Sequence, residues 1–212
     1  MLAYYAKLVQ RTSRMILEGE AHLQAALASD RPVLLTLWHG MLYPTIMWGL
    51  TVFDPKDFLI IAVGDKRGDV LGGLSDTMGS SMEYVDMSGN PVAGGRAVLN
   101  VINALKAGKT SLIMPDGPDG PAFQPKEGVF FMARKAQALV LPIGVWARPA
   151  YQMKRWDRYL VPLPFSRFSV VVGKPIPVSR KTPEETLRNE IPAALHAVRD
   201  RAMVLAGVSP WR

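Results

Sequence analysis

Pro32-Val33-Leu34-Leu35-Thr36-Leu37-Trp38-His39-Gly40 is the stretch that decides the fold. It is a short, nearly continuous apolar run, the pattern of a strand buried on both faces. Glycine stops it, and a helical pattern over Met41–Leu50 follows directly. The same alternation recurs along the chain. Phe58–Val63, Met82–Val85, Ser111–Met114, Leu139–Val145 and Phe168–Val172 read as further strands. Ala21–Ala28, Asp69–Met78 and Gly128–Ala138 read as helices between them. Asn90-Pro91 opens another helix, with a capping residue and proline at the first helical position, and Gly108 closes it. Thr182-Pro183-Glu184-Glu185 has the form of a capping box before a C-terminal helix that Pro192 is expected to kink or stagger. The expectation is one α/β domain, its sheet largely parallel or mixed and flanked by helices.

The 212 residues are 49% apolar, enough for one well-packed core and short for two. A net charge of +7 fits anionic partners, whether nucleic acid, membrane or substrate, and fits equally a solubilising excess. No clustered basic stripe or nucleic-acid motif is present, so no nucleic-acid partner is expected. The absence of cysteine removes disulfides, thiolate metal sites and a Cys nucleophile together. Asp65, Asp69, Asp86, Asp116 and Asp119 lack the spacing of a calcium loop, and no metal site is expected.

Residues 1–17 read as an amphipathic N-terminal helix ahead of an α/β domain over residues 18–212. Leu2, Tyr5, Leu8, Val9, Thr12 and Ile16 share one face, with Lys7, Arg11 and Arg14 mostly off it. Such a helix suits a lipid headgroup layer or simple packing on the domain. Val161–Ser166 and the pair Pro175 and Pro177 read as rigid surface segments.

In open α/β sheets, ligands gather beyond the carboxyl ends of the strands. His39 stands at such an end, and an imidazole takes up and returns a proton near neutral pH. A second strand ends at Met114-Pro115-Asp116-Gly117-Pro118-Asp119-Gly120-Pro121, where prolines and glycines stiffen the backbone around Asp116. That turn suits a carboxylate held in one pose, although Pro-Asp-Gly is also plain turn chemistry. His22 and His196 lie mid-helix among Ala and Leu and read as structural.

Trp38-His39-Gly40, Gly95-Arg96-Ala97, the Pro115–Pro121 turn, Gly128, Leu141-Pro142-Ile143, Trp156-Asp157-Arg158-Tyr159 and Pro162–Arg167 together resemble a bacterial family. It is the lysophospholipid-acyltransferase-like group, once catalogued as a domain of unknown function and similar in turn to the glycerolipid acyltransferases. The resemblance runs from about Glu18 to Val178, and its most specific part is Pro-Asp-Gly-Pro. It implies acyl transfer from a thioester co-substrate, acyl-CoA or acyl carrier protein, to a hydroxyl of a lysophospholipid, with no tightly bound cofactor. It also implies a peripheral protein on the cytoplasmic face of the inner membrane. In that family a histidine and an aspartate form an H-x-x-x-x-D motif, and His39 matches the histidine. Pro115-Asp116-Gly117 matches the Pro-Glu-Gly of the acceptor-binding motif.

Two departures matter. The fifth residue after His39 is Pro44, which cannot orient an imidazole, and position 119 is Asp where arginine is common. The expectation is therefore His39 as general base with Asp116 orienting it or positioning substrate. Trp38, Gly40, Lys66, Arg67, Arg96, Gly117, Pro118 and Lys126 are the expected substrate contacts. An apolar groove ending at His39, lined by some of the 11 methionines, would take an acyl chain. The alternatives are a lipid- or acyl-binding module without catalysis, and a hydrolase of acyl esters or thioesters.

Overall fold

A computed structural model describes residues 2–63, 81–85 and 91–210. The elements are α1 (Leu2–Thr12), β1 (Arg14–Glu18), α2 (Glu20–Leu27), β2 (Val33–Thr36), α3 (Leu42–Gly49), β3 (Phe58–Val63) and β4 (Ser81–Val85). There follow α4 (Pro91–Lys106), β5 (Thr110–Ile113), α5 (Glu127–Ala136), β6 (Leu139–Gln152), β7 (Leu160–Val172), β8 (Ile176–Pro177) and α6 (Glu184–Leu205). The expected helix Asp69–Met78 and the Asn90 cap lie outside the described residues.

The strands form one mixed sheet in the order β1-β7-β6-β2-β5-β3-β4, with β8 pairing β6. The pairs β2–β5, β2–β6, β3–β5 and β3–β4 are parallel, as their apolar runs imply. β6 and β7 are antiparallel. All four residues of β2 are buried, so this strand is the centre of the core. Leu105, Phe130, Leu141, Ile191 and Leu195, from β6, α4, α5 and α6, share the core with Leu34 of this strand.

Three sequence expectations are corrected. The N-terminal helix ends at Thr12, and Arg14–Glu18 is an edge strand paired in parallel with β7. Ile16, half-buried in that strand, still falls on the helical face counted from α1, so the periodicity alone does not mark the break. β6 and β7 each run well past the expected strands, to Gln152 and back from Leu160. Their outer halves carry prolines and alternate in exposure, so no continuous apolar run announced them. Val161–Ser166 therefore lies inside β7. At the C-terminal helix Thr182 does not cap. Its Oγ1 turns back to accept the Ser179 backbone N–H at 2.9 Å, and α6 runs through Pro192 without a break.

This β6–β7 arm is what reaches the functional edge. β6 pairs β2 only as far as Thr36↔Pro142, then continues for ten more residues alongside β7. Its base is locked by α6. Ser169 Oγ donates to the Ala202 carbonyl at 2.6 Å, and a Cβ on Gly144 would lie 2.2 Å from the Val198 carbonyl oxygen. Gly144→Ala is expected to push α6 off the sheet and lower stability by about 1–3 kcal/mol. A urea midpoint equal to wild type would contradict this packing.

Candidate active site

β2 and β5 pair with Thr36 opposite Ile113. His39 and Asp116 each lie three residues further on, so they leave the sheet side by side. The His39 backbone N–H donates to Asp116 Oδ1 at 2.9 Å, and the Phe123 N–H donates to Oδ2 at 3.0 Å. Asp116 is only 1% exposed, with both oxygens engaged by main chain. Burial raises its pKa above the usual carboxylate range, and the two N–H donors offset part of that rise. Asp116 thus clamps the turn to the strand end and does not reach the imidazole, which corrects the expected ring-orienting role.

The ring partner is Asp157. Its Oδ2 lies 2.7 Å from His39 Nδ1 and 3.2 Å from Arg155 Nη2, and its Oδ1 accepts the Tyr159 N–H at 3.3 Å. Asp157 sits in the loop joining β6 to β7. Its side chain is fully buried, whereas that of His39 keeps 14% exposure. Burial pushes the Asp157 pKa up, but the His39 hydrogen bond and the Arg155 and His39 charges outweigh it, and the carboxyl is held below its usual range. An ionised carboxylate only accepts, so Nδ1 donates, and in the neutral ring the lone pair then lies on Nε2. This is the arrangement of a general base with a fixed tautomer.

Glycines make the room. A Cβ on Gly40 would lie 2.1 Å from the Asp157 carbonyl oxygen, so the loop closes over bare backbone there. A Cβ on Gly117 would lie 2.8 Å from His39 Cδ2 and 3.6 Å from Nε2. Gly120, at φ 73°, leaves space for the Trp156 ring, whose centroid is 5.1 Å from that of His39. Burial raises the pKa of the Tyr159 phenol far above its usual value, with Asp157 adding to the effect. It therefore stays protonated beside the histidine, its ring 6.2 Å away.

The other expected contacts divide. Gly40 and Gly117 shape the site, and Pro118 belongs to the turn that Asp116 clamps. Trp38 is fully buried in the core, edge-on to Phe123 at 5.5 Å and 5.1 Å from His196. Lys126 is exposed at the start of α5, its N–H tying the turn through the Pro115 carbonyl at 2.8 Å. Arg96 is exposed on α4. Lys66 and Arg67 lie outside the described residues. Asp157, Arg155, Trp156 and Tyr159 were missed as site residues. For Trp156, Asp157 and Tyr159 the only signal was the Trp156–Tyr159 segment within the family resemblance, and Arg155 had none, because Asp157 is 118 positions from its partner.

Among the described residues no cluster of three or more His, Asp or Glu is placed to hold a metal. An apolar cavity lies beneath α3, walled by Leu35, Ile46, Trp48, Phe53, Phe58 and Leu112. It adjoins the far end of α3 from His39 and has no methionine in its wall, unlike the expected groove.

Because the folded-state pKa of Asp157 is depressed, its stabilising contribution is present above the ordinary carboxylate range and is lost as pH falls through the depressed value. Asp157→Asn is expected to lower stability at neutral pH by about 1–3 kcal/mol. The gap to wild type should shrink below the ordinary carboxylate range. Denaturation midpoints measured across pH 3–7 check this, and a constant gap would contradict it.

No protein-family model matches the chain. An uncharacterized protein of Rickettsia prowazekii (strain Madrid E) is 24% identical over 179 residues, which is 83% of this chain and 78% of that protein. The crystal structure of the 1-acyl-sn-glycerophosphate (LPA) acyltransferase PlsC from Thermotoga maritima superposes with a TM-score of 0.63 at 18% identity, covering 100% of this chain and 81% of the other. The chain has the α/β fold of that acyltransferase, a mixed sheet flanked by helices.

Proposed function

We propose that this chain is an acyltransferase that moves a fatty acyl group from a thioester, acyl-CoA or acyl carrier protein, to a hydroxyl of a lysophospholipid. The observation that carries the reading is the His39 imidazole, fixed through Nδ1 by a buried carboxylate and open at Nε2. The likeness of fold to an acyltransferase supports it. Nε2 removes the proton from the acceptor hydroxyl as its oxygen attacks the thioester carbonyl carbon. The C–S bond breaks, the thiolate leaves and takes the proton from the imidazolium, and the acyl ester remains on the acceptor. Asp157 stabilises the imidazolium and is itself unchanged. The Gly117 backbone leaves the approach to Nε2 free of a side chain.

The acceptor brings the protein to a lipid surface. No described helix is long and apolar enough to cross a membrane. Peripheral attachment at the cytoplasmic face of the inner membrane is the matching location, with the amphipathic α1 and the basic charge as its support.

His39→Ala is expected to abolish transfer of a radiolabelled acyl group from acyl-CoA to lysophosphatidic acid while the protein stays folded. Asp157→Asn should lower kcat by about 10²–10⁴-fold, because the ring loses its tautomer and its counter-charge. Full activity in His39→Ala would end the proposal. Release of free fatty acid without acceptor would replace it with a hydrolase.

A further inference from the structure

The outer part of the β6–β7 arm carries an irregularity that the catalytic site does not use. Arg148 pairs Arg167 and Ala150 pairs Pro162, so one residue of β6 faces the four residues Leu163–Ser166 of β7. The excess forms a bulge stiffened by Pro162 and Pro164. At its crest Phe165 holds φ at 63° and is 78% exposed, and Leu163 is 38% exposed. Positive φ is a true outlier for a bulky aromatic, and exposure of the ring forfeits the burial that usually justifies one.

The bulge is joined to α1. The Phe165 N–H donates to Thr12 Oγ1 at 3.2 Å, Tyr5 O–H donates to the Pro162 carbonyl at 2.7 Å, and the Ser13 and Ser166 hydroxyls lie 3.0 Å apart. Thr12, Leu8 and Tyr4 succeed one another at four-residue spacing along one side of α1. Leu8 is 50% exposed and Tyr4 79%. Tyr4, Leu8, Phe165 and Leu163 thus form one outward apolar strip. Lys7, Arg11 and Arg14 stand exposed beside it. No Asp or Glu occurs in residues 1–17 or 160–181. The flank of the strip is therefore cationic without acidic interruption.

We infer that this strip is a membrane wedge. Phe165, Leu163, Leu8 and Tyr4 enter the interfacial layer of an anionic phospholipid bilayer, and Lys7, Arg11 and Arg14 meet its headgroups. The inward side of the same helix agrees with the position. Val9 is buried against Tyr43 and Met47, and Tyr159, beside the His39 ring, packs on that cluster. The packing of α1 therefore runs on through Tyr43, Met47 and Tyr159 to the His39 ring. The inference deepens the membrane part of the function proposed above and is tested apart from its chemistry.

Phe165→Asn is the informative variant, because asparagine tolerates positive φ and the change removes the ring without adding strain. Sedimentation with phosphatidylglycerol vesicles should retain wild type. It should lose affinity by about 10-fold in Phe165→Asn and again in Leu8→Ser. The charge-reversal pair Lys7→Glu/Arg11→Glu should abolish the preference over phosphatidylcholine vesicles, and added salt should weaken binding by wild type. Unchanged thermal unfolding shows that the variants remain folded. Wild-type levels of vesicle binding by Phe165→Asn, or equal binding to neutral vesicles, would overturn the wedge. So would a vesicle-free dimer of wild type that Phe165→Asn dissolves, which would make the strip a contact between two copies. Turnover of a water-soluble short-chain thioester and acceptor should be the same in Phe165→Asn as in wild type. If wild type lacks that turnover yet binds vesicles, the acyltransferase reading fails and the wedge stands.

Discussion

The hydrogen bond between His39 Nδ1 and Asp157 Oδ2 joins two parts of the chain that share no local structure, and the loops at this edge are shaped to permit it. His39 comes from the turn after the central strand, Asp157 from the tip of a long antiparallel arm. The arm reaches the histidine only because Gly40 offers backbone where a side chain would strike the Asp157 carbonyl. The Trp156 ring settles only because Gly120 has no Cβ. Three donors then hold the Asp157 carboxylate: the imidazole N–H, the Arg155 guanidinium and the Tyr159 amide. A buried charge so fully bonded stays charged, and the tautomer of His39 follows.

Two carboxylates within one site have been driven in opposite directions. Asp116 is held by backbone amides alone in an apolar setting, and its pKa rises. Asp157 faces an imidazole and a guanidinium, and its pKa falls. The difference in environment separates their work. Asp116 fixes where the histidine backbone leaves the sheet, while Asp157 fixes which nitrogen of the ring is free.

The parts of this arrangement legible in the sequence are those written within one strand or turn. The apolar run Val33–Leu37, the glycine after His39 and the Pro-Asp-Gly-Pro turn placed two strand ends at one edge, and parallel pairing did bring them together. The Pro-Asp-Gly-Pro pattern marks a rigid turn around Asp116, and the carboxylate serves that turn, accepting the His39 and Phe123 backbone N–H groups. Asp157 was hidden for a physical reason. A contact across 118 positions leaves no periodicity, and the outer arm that delivers it is half-exposed and proline-broken, without the signature of a buried strand.

Pro44 shows what this route to a dyad entails. It lies in the first turn of α3, where a missing N–H costs little because that turn leaves its amides unpaired in any case. A carboxylate five residues after His39 would be set by the helix alone, rigid and local. When the arm supplies it instead, the orientation of the His39 ring depends on how β6 and β7 hold their loop over the sheet. The same arm bonds α1 through Pro162, Phe165 and Ser166 and carries the exposed aromatic. Whatever steadies the outer arm therefore steadies the His39 partner as well, so the exposed strip proposed to meet lipid and the carboxylate that orients the His39 ring belong to one mechanical element.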